Sequence, residues 1–236
     1  MSQATLARRH AAQCSTCAMR HLCMPEGLSA DDTAKLEGVI CSTRPILRGE
    51  ALFRAGDVFE SLFAIRSGSL KTVVSHEGGR EQVTGLYLSG DALGLDGIGE
   101  NTHICDAIAL EDSSVCLIPY ALFERVCRET GAIQRRLHQM MSREIVRETS
   151  QMMTLGTLRA DERVARLLLD LSARFTRRGY AAAEFTLRLT RDEMGSYLGI
   201  TLETVSRTLS RFQKLGLIDA RGKLIRIRDF DGLRGI

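Results

Sequence analysis

Three cysteines close together near the start of the chain are the residues best suited to chemistry. Cys14, Cys17 and Cys23 form a C-x2-C-x5-C pattern within ten residues. Thiolates are ligands of zinc and of iron–sulfur clusters, and such sites normally take four protein ligands. The fourth thiolate must come from one of the other cysteines, among which spacing alone does not choose. They are Cys41, Cys105, Cys116 and Cys127.

The metal that these cysteines would hold is not fixed by their spacing. C-x2-C is a common half of a structural zinc site, whereas a five-residue gap to the third thiol is less typical of zinc. An iron–sulfur cluster takes the same ligands. A third alternative is a redox switch that forms disulfides among the same cysteines. A permanent disulfide framework is disfavoured, because the seven cysteines are odd in number and the first residues carry no apolar export signal.

The composition narrows the class of protein. Hydrophobic residues make up 44% of the chain and charged residues 26%, as in ordinary globular domains. No apolar run approaches the roughly 20 residues that span a bilayer. We therefore expect a cytoplasmic protein that does not enter a membrane. We also expect no enzyme, since His76, His103 and His138 lie in unrelated segments and the chain has neither a P-loop nor a dinucleotide fingerprint.

A second group of candidate residues lies on two predicted helices near the other end of the chain. Thr190 can cap a helix that starts at Arg191, and this helix ends at Gly199. Thr201 can cap a second helix from Leu202 to about residue 215. Two short helices joined by a tight glycine turn predict a helix-turn-helix.

The polar face of the second helix predicts contacts to DNA. Its early residues would reach base edges in the major groove. Arg207 can pair with guanine, Glu203 can accept from cytosine N4, and Ser206 can contact a base or a phosphate. Other residues are better placed for phosphates, which supply affinity without sequence information. They are Arg191, Thr201, Arg211 and Lys214.

A hairpin and the charge distribution support a nucleic-acid partner. The runs 217–220 and 224–227 flank Arg221-Gly222-Lys223, which predicts a wing with a basic tip. Residues 159–236 carry 16 Lys and Arg against 10 Asp and Glu, whereas the preceding residues carry 16 against 19. A basic C-terminal third is the electrostatic pattern of a DNA-binding module.

The middle of the chain predicts a β-structure followed by helices. Ser29 is a plausible N-cap for a short helix over residues 29–40. Between residues 44 and 118, glycines separate short runs rich in Val, Ile, Leu and Phe, which favours a small barrel or sandwich. Residues 75–80 are predicted to form the tip of a β-hairpin. A second helical region over 121–158 follows, and a hinge near residues 156–160 precedes a helix that Asp161 opens.

One apolar stripe runs along the predicted helix of about 25 residues. A long helix with a narrow seam is a candidate for dimerisation, although it could instead pack on its own domain. The predicted seam consists of Leu137, Met141, Ile145, Glu148, Met152 and Leu155. Glu148 is the acid in this stripe: it either faces its copy across the two-fold axis, where like charges repel, or lies just off the seam in solvent.

Residues 194–207, MGSYLGITLETVSR, resemble the helix-turn-helix of the CRP/FNR superfamily. The E-x-x-S-R spacing at Glu203, Ser206 and Arg207 is similar to that of its FNR branch, the oxygen-responsive regulators, and implies a TTGAT-type half-site. The resemblance covers nearly the whole chain and implies an α+β fold: an N-terminal β-roll, a long dimerisation helix and a C-terminal winged helix-turn-helix. The implied domains are a cluster-binding segment 1–28, a β-roll 29–120, a dimerisation region 121–158 and a DNA-binding domain 159–236.

The same resemblance implies a cofactor. CSTCAMRHLCMP is similar to the N-terminal cluster loop of the FNR branch, and SSVCLIP around Cys116 to its distal ligand segment. A [4Fe–4S] cluster held by Cys14, Cys17, Cys23 and Cys116 is therefore expected, with the other cysteines as small buried hydrophobes. Leu22 would shield the cluster or simply pack there.

The family resemblance also implies partners. A cluster-bound homodimer would read an inverted repeat in promoter DNA, and loops such as 75–81 would contact RNA polymerase. Cyclic-AMP regulators share the β-roll, but here Asp91 stands where they carry a glutamate, and no arginine lies between Gly90 and Glu111 to bind a phosphate. An anion there would meet Asp91 and Asp96, so we expect no cyclic nucleotide.

Overall fold

The computed structural model describes residues 14–24, 28–40, 42–76 and 78–236. The described residues fall into two compact units that divide within one long helix, between Glu144 and Ile145. Residues 1–13 and 25–27 of the predicted cluster segment, Cys41 and one residue of the predicted polymerase loop 75–81 lie outside the described residues. None of the described helices is long and apolar enough to cross a membrane.

The described part of the first unit has two four-stranded antiparallel sheets. One has the order β1-β8-β3-β6 and the other β2-β7-β4-β5. The strands are β1 (Ser42–Ile46), β2 (Ala51–Phe53), β3 (Ser61–Ser67), β4 (Ser69–Ser75), β5 (Glu81–Leu88), β6 (Ala92–Leu93), β7 (Asp106–Ala109) and β8 (Ser113–Pro119).

Both sheets contribute to one hydrophobic core. Ile65 of β3 pairs with Val115 of β8, and both side chains are fully buried. Leu70 of β4 pairs with Ala109 of β7 on the other sheet and joins the same core. Alternate residues of each strand point to opposite faces, so short apolar runs suffice to fill the space between two sheets. The predicted β-roll is confirmed.

Helices cover one end of this unit. They are α1 (Arg20–Cys23), α2 (Ala30–Val39), α3 (Tyr120–Glu129) and the long α4 (Gly131–Thr157). The Ser29 side chain accepts a hydrogen bond from the backbone N–H of Asp32 at 3.0 Å, so the predicted cap is confirmed. Residues of α2, α3 and the start of α4 form a second hydrophobic cluster with Met24 and Ile118. The helical region 121–158 breaks at Thr130, whose backbone is extended.

The second unit contains the helix-turn-helix and the wing. Its elements are α5 (Ala160–Thr176), β9 (Glu184–Thr186), α6 (Arg191–Leu198), α7 (Leu202–Lys214), β10 (Ile218–Arg221), β11 (Leu224–Ile227) and α8 (Phe230–Arg234). The strands form an antiparallel sheet in the order β10-β11-β9. Helix α5 begins one residue before Asp161, because the Glu162 carboxylate accepts from the Arg159 N–H at 2.6 Å and fixes Arg159 as the cap.

Candidate metal centre and DNA-reading helix

The cysteine loop, residues 14–24, is a chain of tight turns. The N–H of Cys17 donates to the carbonyl of Cys14, and that of Arg20 donates to the carbonyl of Cys17, both at 3.1 Å. The single turn of α1 then carries the chain to Cys23. Met19 and Met24 are buried and anchor the second half of the loop. Turns of this kind bring side chains that are three to six residues apart to one side of the backbone.

Four thiols lie within electrostatic reach of one another. Burial raises the pKa of Cys14 to about 11, and Cys116 is the next largest cause, followed by Glu37 and Cys17. Burial also raises the pKa of Cys23 to about 12, with Cys17 and Cys116 next. Burial raises the pKa of Cys116 as well, and Cys17 adds to it. Each thiolate thus disfavours ionisation of its neighbours, as in a cluster of like charges.

Strand β8 supplies the distant member of this group. Cys116 lies between Thr43 of β1 and Ala64 of β3, near the middle of its sheet. Burial raises the pKa of Cys105 to about 12, and Asp96 is its next largest cause. Burial likewise raises the pKa of Cys127, with Glu124 contributing. Among the described cysteines outside the loop, therefore, Cys116 is the one whose charge acts on the loop cysteines. Cys105 is buried in the core between the two sheets, and Cys127 is buried in the helical cluster against which Cys14 and Cys116 also pack.

The four thiols fit a metal centre by their chemistry but are not in coordination geometry. In the part of the chain that the structure describes, no three His, Cys, Asp or Glu side chains lie close enough to hold a metal ion. Electrostatic effects extend over longer distances than metal–ligand bonds. The thiols can therefore raise one another's pKa values without being close enough to coordinate one metal ion. Neutral thiols with raised pKa values can pack in a half-buried site, and a metal would displace their protons. The ligand assignment stays a prediction.

A glycine that sequence patterns treat as an ordinary turn residue lies directly under the cysteine loop. Gly90 has a φ of +87°, and a Cβ there would lie 2.7 Å from Leu22 Cδ1 and 2.8 Å from Leu22 Cβ. Cys23 Sγ lies 3.8 Å from the Gly90 carbonyl oxygen. The positive φ indicates glycine, but the close approach of Leu22 arises only in the folded chain.

The helix-turn-helix is held by local caps. The Thr190 side chain accepts from the Glu193 N–H at 3.1 Å, and the Glu193 carboxylate accepts from the Thr190 N–H at 2.6 Å. Gly199 ends α6 with a φ of +61°. A Cβ on Gly195 would lie 2.6 Å from the carbonyl oxygen of Ile200, so the turn between the helices requires glycine there. These contacts confirm the predicted motif.

Helix α7 separates a buried face from a polar face. Val205, Leu209 and Phe212 are buried, as the sequence pattern predicts. Glu203 and Arg207 are exposed and Ser206 is half-buried. A backbone hydrogen bond lowers the pKa of Glu203, and a hydrogen bond from Thr201 and the charge of Arg207 lower it further. The Arg207 guanidinium donates to Thr204 Oγ1 at 3.3 Å. The base-reading role of these residues stays a prediction.

Comparisons with known proteins match both units. Residues 162–236 match the Crp-like helix-turn-helix domain, and residues 43–130 match the cyclic nucleotide-binding domain. The transcriptional activator protein anr of Pseudomonas aeruginosa is 43% identical over 218 residues, which cover 92% of this chain and 89% of the relative. The fumarate and nitrate reduction regulatory protein of Salmonella typhi is 39% identical over 226 residues, with 96% and 90% covered.

The chain belongs to the FNR-type branch of the CRP/FNR superfamily. The structure of FixK2 from Bradyrhizobium japonicum agrees with a TM-score of 0.76 at 28% identity, covering 82% of this chain and 95% of that one. The protein is thus a transcription regulator with a helix-turn-helix DNA-binding domain, and its relatives are regulators rather than enzymes. Regulators of the CRP/FNR family bind promoter DNA and typically act as dimers.

The predicted phosphate contacts of this regulator differ in their surroundings. Thr201 and Lys214 are exposed. Arg191 is half-buried, which lowers its pKa, and its guanidinium donates to the Gly222 carbonyl in the wing at 3.4 Å. Arg211 forms an ion pair with Asp161 at 3.0 Å through Nη1, so this carboxylate competes with a phosphate for the guanidinium.

The predicted seam on α4 splits between buried and exposed residues. Leu137 packs in the core of the first unit, and Leu155 is half-buried in the second. Met141, Ile145 and Met152 are exposed, and so is Glu148. Two apolar side chains that the seam did not include are exposed beside them. They are Val146 and Met153.

The two acids where a cyclic nucleotide would sit hold the local backbone. The Asp91 carboxylate accepts from the Leu88 N–H at 2.8 Å. The Asp96 carboxylate accepts from the Ile104 N–H at 3.0 Å and lies 3.3 Å from Nδ1 of buried His103. Both carboxylates would repel a phosphate. That this CRP/FNR regulator takes no cyclic nucleotide stays a prediction.

Proposed function

We propose that this chain is an oxygen-responsive transcription regulator whose activity depends on a [4Fe–4S] cluster. Cys14, Cys17, Cys23 and Cys116 would hold the cluster. The observation that carries the proposal is that Cys14 of the loop and Cys116 of strand β8, about 100 residues apart, pack against the same hydrophobic cluster. The electrostatic effect of the four thiols on one another's pKa values agrees with this placement. When bound, such a cluster supplies redox chemistry and sensitivity to oxygen, which zinc does not.

The chain's own residues prepare this site in two ways. The raised pKa values of Cys14 and Cys23 keep these two thiols protonated when no metal is bound, so that loading must release their protons. Leu22 packs on Gly90 and covers one side of the loop. Cations oppose the negative charge of the thiolates, since Arg20 lowers the pKa of Cys14 and Arg66 lowers that of Cys116.

In the DNA-bound state, α7 would lie in the major groove. Arg207 would pair with guanine, Glu203 would accept from cytosine N4, and Ser206 would contact a base or phosphate. Cluster binding would favour a homodimer through the exposed apolar side chains of α4, and the two-fold axis would match an inverted repeat of TTGAT-type half-sites. RNA polymerase would contact surface loops of the β-roll such as 75–81.

The test is purification without oxygen, followed by visible absorption, iron and sulfide analysis, and a gel shift on inverted-repeat DNA. We expect a brown protein with four iron and four sulfide per chain, following from the proposed cluster type, that binds the repeat and loses both colour and binding in air. C116A should lose the cluster, whereas C105A is the matched control and should keep it, since Cys105 is buried in the separate core between the two sheets.

Two other results would contradict the proposal, each in favour of a different kind of site. A colourless protein that contains zinc would establish a structural metal site. A colourless metal-free protein whose DNA binding depends on added thiol would establish a disulfide switch. In both cases the helix-turn-helix would still be a DNA-binding module.

A further inference from the structure

One arginine joins the cysteine loop to the long helix α4. Arg136 donates from Nε to the Cys23 carbonyl oxygen at 3.3 Å and from Nη2 to the Leu22 carbonyl oxygen. Both carbonyls lie at the end of α1, where a helix has no backbone donors left to satisfy them. Hydrogen bonds from a charged donor are roughly twice as strong as those between neutral groups.

The helix end of this link lies in a well-packed turn of α4. Arg136 lies between Ile133 and Leu137, which are both buried in the hydrophobic cluster that α2, α3 and α4 share. The stem of Arg136 therefore leaves α4 from a packed turn. The loop end is packed through Met19, Leu22 and Met24.

Arg136 also differs from the other cations near the thiols. Arg20 belongs to the loop itself and Arg66 to strand β3, so each acts on a thiol from an element other than α4. Arg136 lowers the pKa of Cys23 and at the same time stands on the helix that bears the exposed apolar residues. The hydrogen bonds of Arg136 thereby link the conformation of the loop to the position of α4.

We propose that Arg136 is a positioning residue that ties the cysteine loop to α4, so that a loop ordered by its metal holds α4 in the arrangement that dimerises. The proposal rests on the proposed function for the metal, but the tie itself joins only groups of the protein and can be tested without the metal. Removing the guanidinium should free the loop, and it should weaken the dimer without removing any thiol ligand or any seam residue.

The first measurement uses metal-free protein and trypsin. Arg20 is exposed in the loop, so cleavage after it reports how often the loop opens. R136M should be cleaved about tenfold faster, since loss of the two charge-assisted hydrogen bonds easily exceeds the 1.4 kcal/mol that a factor of ten requires. R135M is the matched control because Arg135 is the exposed neighbour on the same helix. R136K, which keeps the charge and one donor, should fall between them.

The second measurement uses protein loaded without oxygen. R136M should keep the iron and sulfide content of the wild type, and its dimer dissociation constant in sedimentation should rise several-fold, whereas R135M should match the wild type. Equal cleavage of R136M and R135M would overturn the tie. Faster cleavage with an unchanged dimer constant would overturn its role in dimerisation. If the wild type takes up no cluster, the proposed function fails, yet the cleavage rates still decide whether the tie exists.

Discussion

Arg207 and Lys214 stand on the same helix and are expected to act differently on DNA. Arg207 is in the first half of α7, where side chains reach base edges, and Lys214 is its last residue. R207A should cost about 1–3 kcal/mol on the specific site and relax the preference at one base pair. K214A should weaken binding to all sequences and flatten the salt dependence. Competition gel shifts decide this, and equal losses on specific and random DNA for R207A would exclude base reading.

Gly90 is the residue on which the packing of the cysteine loop depends. G90A adds a methyl group that would collide with Leu22, at Cβ as well as at the end of the side chain, so the loop must shift. Gly56 has nearly the same φ, +86°, and nothing within 4 Å, which makes G56A a control for backbone strain alone. G90A should lose about 1–3 kcal/mol more than G56A in urea unfolding, the usual cost of overpacking. Equal losses would show that Leu22 moves freely.

Between elements, Arg163 of α5 joins the ends of two helices in the second unit. It donates to the carbonyls of Leu155 at 2.7 Å and Leu158 at 2.9 Å, at the end of α4, and to that of Leu198 at 2.8 Å, at the end of α6. Gln151 adds a bond to the Tyr197 carbonyl at 2.6 Å. The last carbonyls of both helices are thus satisfied by side chains, which fixes the first helix of the DNA-binding motif against α4.

Removal of this guanidinium should destabilise the second unit. R163M should lower the free energy of unfolding by about 1.5–3 kcal/mol or more, since the loss of one charged hydrogen bond already costs this amount. R166M is the matched control, since Arg166 is exposed one turn further along α5. Urea unfolding followed by circular dichroism measures both. Indistinguishable midpoints for the two variants would show that water replaces the arginine at these carbonyls.

For the whole molecule, the expected switch is between monomer and dimer. Ile145 and Met152 are 63% and 72% exposed, a large exposed apolar surface on one helix. Glu148 is exposed within the same stretch of α4, where two copies would repel each other across a two-fold axis. Repulsion of this kind would hold the clusterless chain as a monomer, and a monomer loses the gain from binding two half-sites at once.

The proposed repulsion between the two copies of Glu148 can be tested without the cluster. E148A should dimerise in air and bind inverted-repeat DNA, because the like charges are removed and the apolar surface stays. E129A removes a carboxylate from α3 and should behave as the wild type. Sedimentation and gel shift on air-exposed protein give the answer. If E148A stays monomeric and unbound, Glu148 is a solvated residue off the seam.

Local patterns in the sequence predicted the DNA-binding motif almost residue by residue. The Thr190 and Thr201 caps each join groups three residues apart, and the glycine at 199 requires only its own backbone conformation. Interactions of this range depend on the sequence alone. The β-roll was predictable in class, since alternating apolar runs indicate strands, but their order in two sheets was not.

The tertiary structure decided which distant residues meet. The amphipathic pattern of α4 treats Leu137 and Met141 alike, yet the first is buried in its own unit and the second is exposed, because helices α2 and α3 cover only the start of α4. Spacing could not select Cys116 over Cys105 or Cys127, and it assigned Arg136 no role. Arg136 and Cys23 are 113 residues apart in the chain, and no periodicity encodes a contact that only the packing of a loop on a helix creates.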